Sequence, residues 1–383
     1  MPTETAALGI VQMGLGQVGR ALITQYIAAA DRYPWLQYRG LGDRSGFIWR
    51  GDGWTRAELR AVVAAKADGM SLRQYWNRLR QPRGECVQDR FDRGPDLVTR
   101  FGGAWGDGAV ALVDVTAERN TYPAVLAARQ AGAHIVLCNK WPLAVDQAEY
   151  DALLRGGTGR LLYETTVGAA LPVIGTLDAL LLTGDEIGEI QAAISGTLGF
   201  VTSAIQEGKP FSVALRDAQA LGFTEPDPRD DLGGVDARRK ALILARKLGL
   251  RLNMADVEVE SLVPRGLESV SLDAFWAGLR DVDAEYAARV AAAQERDAVL
   301  RFLALIDGRG ARVGLLEVPR AGLAGGLTGT ESLFVFKTRR YGEQPLAVRG
   351  RGAGADITAS GVLADLLALR PGAAAATLPE RRG

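Results

Sequence analysis

Short apolar runs alternate with helical patterns through the first third of the chain. Residues 7–13, ALGIVQM, are brief, apolar and stopped by glycine, which predicts a buried strand. RALITQYIAAADRY follows with helical spacing. Gln37–Leu41, Ala109–Val115 and His134–Cys138 predict further strands, and Arg56–Lys66, Leu72–Leu79 and Tyr122–Gln130 predict helices. This alternation predicts an α/β fold built on a doubly wound parallel sheet. Residues 47–107, rich in Trp, Arg and Gly, give no clear assignment as a whole.

The pattern changes near residue 145. Leu161–Glu164 and Glu189–Ile194 predict strands, and Pro172–Leu182 a helix. Residues 250–305 are charged and read as largely helical, notably Asp283–Leu305. Residues 311–318 and 332–338 read as antiparallel strands and Ile357–Leu369 as a terminal helix. The Ala, Pro and Arg tail after Pro371 is expected to be disordered.

Composition narrows the classes of function. The 383 residues carry 45 basic and 45 acidic side chains, so no general basic field favours nucleic acid. Two cysteines, Cys86 and Cys138, supply no disulfide framework, and Cys138 is expected to pack as a small hydrophobe. The start shows no secretion signal, and the longest apolar stretch, Gly168–Gly184, is interrupted by Pro172 and Asp178. A cytoplasmic protein without a membrane partner is the expectation. The single histidine, His134, excludes multi-histidine metal sites and is expected at the surface or in a capping role.

Gly14, Gly16 and Gly19 form GxGxxG between the first strand and the first helix. The first glycine permits the turn, the second lets backbone approach a pyrophosphate, and the third allows close helix–strand packing. Asp43 stands 24 residues beyond Gly19, near the spacing of a ribose-binding acid. Dinucleotide binding on a Rossmann-type sheet is expected, with Gln17 and Val18 in the same turn. Asp43 favours the free 2'-hydroxyl of NAD, whereas Arg44 suits the 2'-phosphate of NADP, so the preference stays open.

The segment 222–240, GFTEPDPRDDLGGVDARRK, holds Glu225, Asp227, Asp230, Asp231 and Asp236 and ends in Arg238, Arg239 and Lys240. Two prolines and a Gly-Gly pair keep its first part irregular, and its end feeds Lys240 onto a helix. Asp236 and Lys240, four residues apart, share a helix face. Such a segment is suited to gripping a small polar substrate and giving it a proton. A solvated ion pair beside an acidic loop is the plain alternative. Asp227, between two prolines, reads as a turn cap.

Seven blocks occur in order: GLGQVG at 14, DVTAE at 114, NKWPLA at 139, YETTVGAALP at 163, SGTLGF at 195, the block from 222, and GRGAGADITASGVLADLL at 350. Together they closely resemble the homoserine dehydrogenase family. The resemblance runs from residue 8 to about 369 and is thin over 47–107 and 250–325. It implies reversible NAD(P)H-dependent reduction of L-aspartate 4-semialdehyde to L-homoserine, in threonine and methionine biosynthesis, by a homodimer. It implies a dinucleotide-binding domain over 1–145 and a mixed α/β catalytic and dimerisation domain over 146–335. A segment over 336–370 would return to the first domain, leaving a flexible tail over 371–383.

The resemblance also implies roles. Lys240 is the first candidate to protonate the alkoxide that hydride reduction creates, with Asp236 beside it. Lys140, at the carboxyl edge of the sheet, is the second, and which lysine gives the proton stays open. Glu225, Asp231 and Asp230 would hold the substrate ammonium, with Gly196 and Thr197 offering an amide and a hydroxyl. Thr116, Lys140 and Gly352 join Gly14, Gly16, Gly19, Asp43 and Arg44 around the cofactor. Glu164, Val167, Ala169 and Leu171 match positions that bind a monovalent cation such as sodium. Neither a C-terminal regulatory domain nor threonine control through one is expected. The rival expectations are a related oxidoreductase acting on another semialdehyde or amino acid, and a nucleotide-binding sensor without catalysis.

Overall fold

The computed structural model describes residues 7–79, 84–87 and 110–370. Internal contacts divide the chain into two units, one running up to Ala170 and resuming at Gly354, the other spanning Leu171–Ala353. The tail after Pro371 and much of 80–109 lie outside the described residues.

The first unit is built on a seven-stranded sheet in the order β4-β3-β2-β1-β5-β6-β7. Its strands are β1 (Leu8–Met13), β2 (Leu36–Asp43), β3 (Gly46–Trp49), β4 (Glu85–Val87), β5 (Val110–Asp114), β6 (His134–Leu137) and β7 (Leu161–Leu162). The strands from β2 to β7 through β1 pair in parallel, and β3 and β4 add an antiparallel edge. Its helices are α1 (Gln17–Ala29), α2 (Arg56–Ala67), α3 (Leu72–Arg78), α4 (Tyr122–Gln130), α5 (Gln147–Arg155) and the short α6 (Thr165–Gly168). The strand of β1 is buried along its whole length, as a parallel strand covered on both faces must be. Thr55 and Ser71 each close a capping box at the start of α2 and α3, which the composition of this region concealed.

The second unit carries a six-stranded sheet in the order β13-β12-β8-β10-β11-β9. Its strands are β8 (Ile187–Ala193), β9 (Glu258–Val259), β10 (Ala298–Asp307), β11 (Gly310–Pro319), β12 (Glu331–Thr338) and β13 (Leu346–Arg351). Helices α7 (Ile174–Leu182), α8 (Gly196–Gln206), α9 (Phe211–Ala220), α10 (Pro228–Leu232), α11 (Val235–Lys247), α12 (Leu272–Gly278) and α13 (Asp283–Gln294) complete it. The helix expected over Asp283–Leu305 ends at Gln294, and the rest belongs to β10. The charged break Glu295-Arg296-Asp297, with Asp297 at φ 51°, ends the helix, and the near-continuous apolar run 298–306 pairs with β8 and β11.

The terminal helix, α14 (Ala355–Ala368), packs in the first unit against α1, where Gln25 donates to Asp356. The segment expected to return from residue 336 therefore joins the first unit only from Gly354. β12 and β13 stay with the second sheet because β12 pairs antiparallel with β8 and carries β13 on its other edge. The first unit likewise extends to Ala170 rather than 145, because β7 adds a seventh strand and α6 packs on α14. No helix among the described residues is long and apolar enough to cross a membrane.

Close approach of α14 depends on Gly361. A Cβ there would lie 2.6 Å from Thr165 Cγ2 and 3.0 Å from Ala170 Cα. Gly361→Ala is expected to lower the unfolding free energy by about 1–3 kcal/mol, despite alanine's better helix propensity. Urea unfolding measures it, and a stabilised variant would contradict the close packing.

Candidate active site

In the first unit the chemistry-bearing residues gather beyond the carboxyl ends of parallel strands, where open α/β sheets bind ligands. β1 ends at Met13 and the glycine turn leads into α1. Gly14 adopts φ 102°, and a Cβ on it would meet the Val115 backbone at 2.9 Å. A Cβ on Gly19 would lie 2.1 Å from Gly14 O, whereas Gly16 has nothing within 4 Å of that position. Two glycines are thus required by packing, and the middle one leaves room for a ligand beside the backbone. The turn fits a dinucleotide pyrophosphate.

Beyond β5 and β6, a buried polar hub joins two loops. Asp114, fully buried, accepts from the Thr116 amide (3.0 Å) and hydroxyl (2.7 Å) and from Asn139 Nδ2 (3.0 Å). Asn139 Nδ2 also reaches Thr116 Oγ1, Thr121 Oγ1 and the Glu118 carbonyl. Burial raises the Asp114 carboxyl above its usual range, against these bonds. Thr116 and Lys140 are thereby set on neighbouring loops. Trp141, which follows Lys140, lies under the Arg119 guanidinium at 4.3 Å from the ring centre.

Asp43 ends β2 but its carboxylate is engaged within the protein. It accepts from Lys66 Nζ (2.5 Å), the Leu72 amide (2.8 Å) and the amide and hydroxyl of Ser45 (2.8 and 2.5 Å). Burial pushes this carboxyl upward, yet Lys66, Ser45 and Leu72 outweigh it and hold it below its ordinary value. Four donors thus engage the carboxylate of which a ribose role is expected. Arg44 is exposed and pairs with Glu118.

The second unit assembles the acidic segment around the start of α8. Ser195 caps that helix by accepting from the Leu198 amide (3.3 Å), so Gly196 and Thr197 form its first turn. Thr197 Oγ1 bonds to Asp231 Oδ1 (2.9 Å) and to the Phe223 carbonyl (2.5 Å), and Asp231 Oδ2 accepts from the Glu225 amide (2.7 Å). Thr197, Glu225 and Asp231 are thus one connected group, while Glu225 and Asp230 are exposed. Asp227 caps α10 and accepts from the Arg229 amide (3.0 Å), in keeping with its turn assignment.

Lys240 lies on α11, which begins at Gly234 in the left-handed region (φ 67°). Its Nζ donates to the Ile194 carbonyl (2.8 Å) and pairs with Asp236 Oδ2 (2.9 Å). The lysine side chain is 15% exposed and Asp236 53%, so the ammonium is largely withdrawn from water while its partner stays exposed. Ile194 immediately precedes the α8 cap, so Lys240 and Thr197 are fixed to the same strand end.

Gly352 follows β13 in the second unit, where a Cβ would meet Ser332 Oγ at 2.0 Å. Glu164, Val167 and Ala169 belong to the first unit, and Leu171 opens the second. The Glu164 amide donates to Asp365 Oδ2 (3.1 Å), Ala169 is held at φ 52°, and the Leu171 carbonyl accepts from Val173. Among the described residues no three His, Cys, Asp or Glu side chains group as metal ligands. His134 Nδ1 accepts from the Arg160 amide (2.8 Å), joining β6 to the start of β7. Cys138 packs against the first unit's apolar core.

Sequence reasoning missed Asn139, Asp114, Lys66 and the Ile194 carbonyl. Asp114 and Asn139 stood in the quoted blocks as polar residues ending apolar strands, which was the available signal. Nothing in the sequence marked Lys66 or a backbone carbonyl.

Burial first raises the Asp231 carboxyl, with Glu225 and Asp230 adding to it and the Glu225 amide and Thr197 opposing. A raised folded value means charging Asp231 costs stability as pH rises from about 4, the unfolded carboxyl value, through that folded value. Asp231→Asn is therefore expected to melt above the wild type at pH 7.5, the gap closing toward pH 4. A variant less stable than wild type at both pH values would refute this.

A model of the homoserine dehydrogenase family matches residues 172–367. The homoserine dehydrogenase of Emericella nidulans is 40% identical over 279 residues, covering 68% of this chain and 75% of that protein. The bifunctional aspartokinase/homoserine dehydrogenase 2 of Zea mays is 39% identical over 264 residues, 67% of this chain. The chain matches only 29% of that longer protein's length. A hyperthermophilic archaeal homoserine dehydrogenase in complex with NADPH superposes with a TM-score of 0.68 at 25% identity, covering 95% of this chain and 97% of the other. The chain belongs to the homoserine dehydrogenase family.

Proposed function

We propose that the chain interconverts L-homoserine and L-aspartate 4-semialdehyde with a nicotinamide dinucleotide. The observation that carries this reading is the placement, just beyond β8, of Lys240 with Asp236 and of Thr197 with Asp231 and the Glu225 amide. Family membership supports it. When bound, the dinucleotide supplies or takes the hydride and so closes the redox balance.

The residues proposed to hold it are Gly14, Gly16, Gln17, Val18 and Gly19, with Thr116, Lys140 and Gly352. Asp43 and Arg44 are proposed to lie at the ribose, with the choice between the two dinucleotides resting mainly on Arg44 because Asp43 already accepts four bonds. An exposed guanidinium suits the 2'-phosphate of NADP.

Lys240 is proposed to protonate the aldehyde oxygen during reduction and to receive the hydroxyl proton during oxidation. Asp236 keeps its charge compensated, and the Ile194 carbonyl aims its ammonium. Lys140 is the second candidate for that proton. Asp231, with Glu225 and Asp230, is proposed to seat the substrate ammonium, and Gly196 and Thr197 its polar atoms. Glu164, Val167, Ala169 and Leu171 are proposed to hold a monovalent cation such as sodium, and a homodimer is the proposed assembly.

Homoserine oxidation at alkaline pH, followed by reduced-nicotinamide absorbance with NAD and NADP in parallel, tests the reading. Lys240→Ala is expected to lose on the order of 10²–10⁴-fold in turnover while still binding dinucleotide. Near-normal turnover would remove Lys240 from the proposal. Arg44→Ala is expected to raise the KM for NADP by roughly 10- to 100-fold and leave that for NAD unchanged. Equal effects on both would return the choice to another residue.

A further inference from the structure

Gln12 is the polar residue in the otherwise apolar strand LGIVQM, and it is fully buried. An unsatisfied amide in such a place is costly, so its bonds identify what it is for. Its Nε2 donates to Gly14 O (2.8 Å) and to Gly19 O (3.1 Å). These carbonyls stand at the two ends of the glycine turn, one where β1 stops and one in the first turn of α1. The third bond comes from Tyr38 on the neighbouring strand β2, whose buried hydroxyl donates to Gln12 Oε1 (2.7 Å). Tyr38 is itself fixed edge-on against Tyr26 of α1, with ring centres 4.8 Å apart. Tyr26 donates to the Leu36 carbonyl (2.9 Å).

We propose that Gln12, oriented by Tyr38, is a positioning residue that fixes the glycine turn in the shape that accepts a dinucleotide pyrophosphate. One amide nitrogen ties together the ends of a turn whose middle glycine, Gly16, faces open space. Glycine residues lose more backbone freedom on ordering than any others, so an untied turn would lose that freedom on binding instead. The Tyr38 hydroxyl matters because it needs an acceptor: it holds the carbonyl end of Gln12 toward β2 and so turns the NH₂ end toward the glycines. No contact between Gln12 and the dinucleotide is involved. The inference rests on the reading of this turn as a dinucleotide site.

The test uses the full chain, with NADPH and NADH titrated against intrinsic fluorescence and thermal melts run beside it. Gln12→Leu keeps the approximate volume and removes all three bonds. Tyr38→Phe removes one hydroxyl that is remote from the turn. Both are expected to weaken dinucleotide binding about tenfold. Both should raise the dinucleotide KM in the same proportion, with kcat changed by less than about twofold. A merely structural role would lower the melting temperature and leave the dissociation constant at the wild-type value. That result in Tyr38→Phe overturns the inference even where Gln12→Leu fails to fold. Wild-type protein that binds neither dinucleotide removes the reading of the turn, and the inference with it.

Discussion

A lysine ammonium drawn largely out of water needs an opposing charge and a lone pair close at hand. In the second unit that requirement falls on Lys240, and Asp236 and the Ile194 carbonyl meet it. The first partner comes from one turn earlier on α11, which costs the fold little. The second comes from the end of β8, a strand flanked by β12 and β10 in the middle of its sheet. The lysine therefore ties a helix to a sheet centre. The next residues after Ile194 are the cap and first turn of α8, which reach Asp231 through Thr197. Charge compensation and placement of the polar group both pass through the ammonium of Lys240.

The first unit solves a related problem largely with neutral amides, beside the Asp43–Lys66 pair that follows β2. Its parallel strands end together, and the loops beyond them must satisfy their own backbone and side-chain groups. Asp114 and Asn139 do this for the loops after β5 and β6, and Gln12 does it for the turn after β1. Each hub sits at or near a strand end, below the loop it organises. Such fully bonded polar groups specify one arrangement where apolar packing would tolerate several.

Much of this was legible in the sequence, and the failures have physical causes. β1, β5, β6 and α4 were readable because short apolar runs bounded by glycine or a charged turn leave few alternatives. The Asp283–Leu305 stretch misled because the near-continuous apolar run 298–306 is compatible with helix or strand, and cross-strand partners decide. The acidic segment and Lys240 were visible as residue types at the right spacing. Asp43 was visible too, but its occupancy was not. Lys66 and Leu72 lie 23 and 29 residues away, and only the folded sheet edge brings them to that carboxylate.

The three candidate acids for an ammonium differ in a way that spacing could not reveal. Glu225 and Asp230 are exposed, where one charge attracts another weakly and salt screens it. Asp231 is drawn inward, is held from two sides by Thr197 and the Glu225 amide, and carries a carboxyl raised mainly by burial. A group whose charge is disfavoured in the empty fold gains most when a cationic partner arrives. The energetic cost of keeping the Asp231 charge there is thus what a cationic partner would relieve. The exposed neighbours act on it as a field, raising it further and drawing cations toward the loop. The segment 222–240 thus sets one half-buried carboxylate and one half-buried lysine among exposed charges that tune those two.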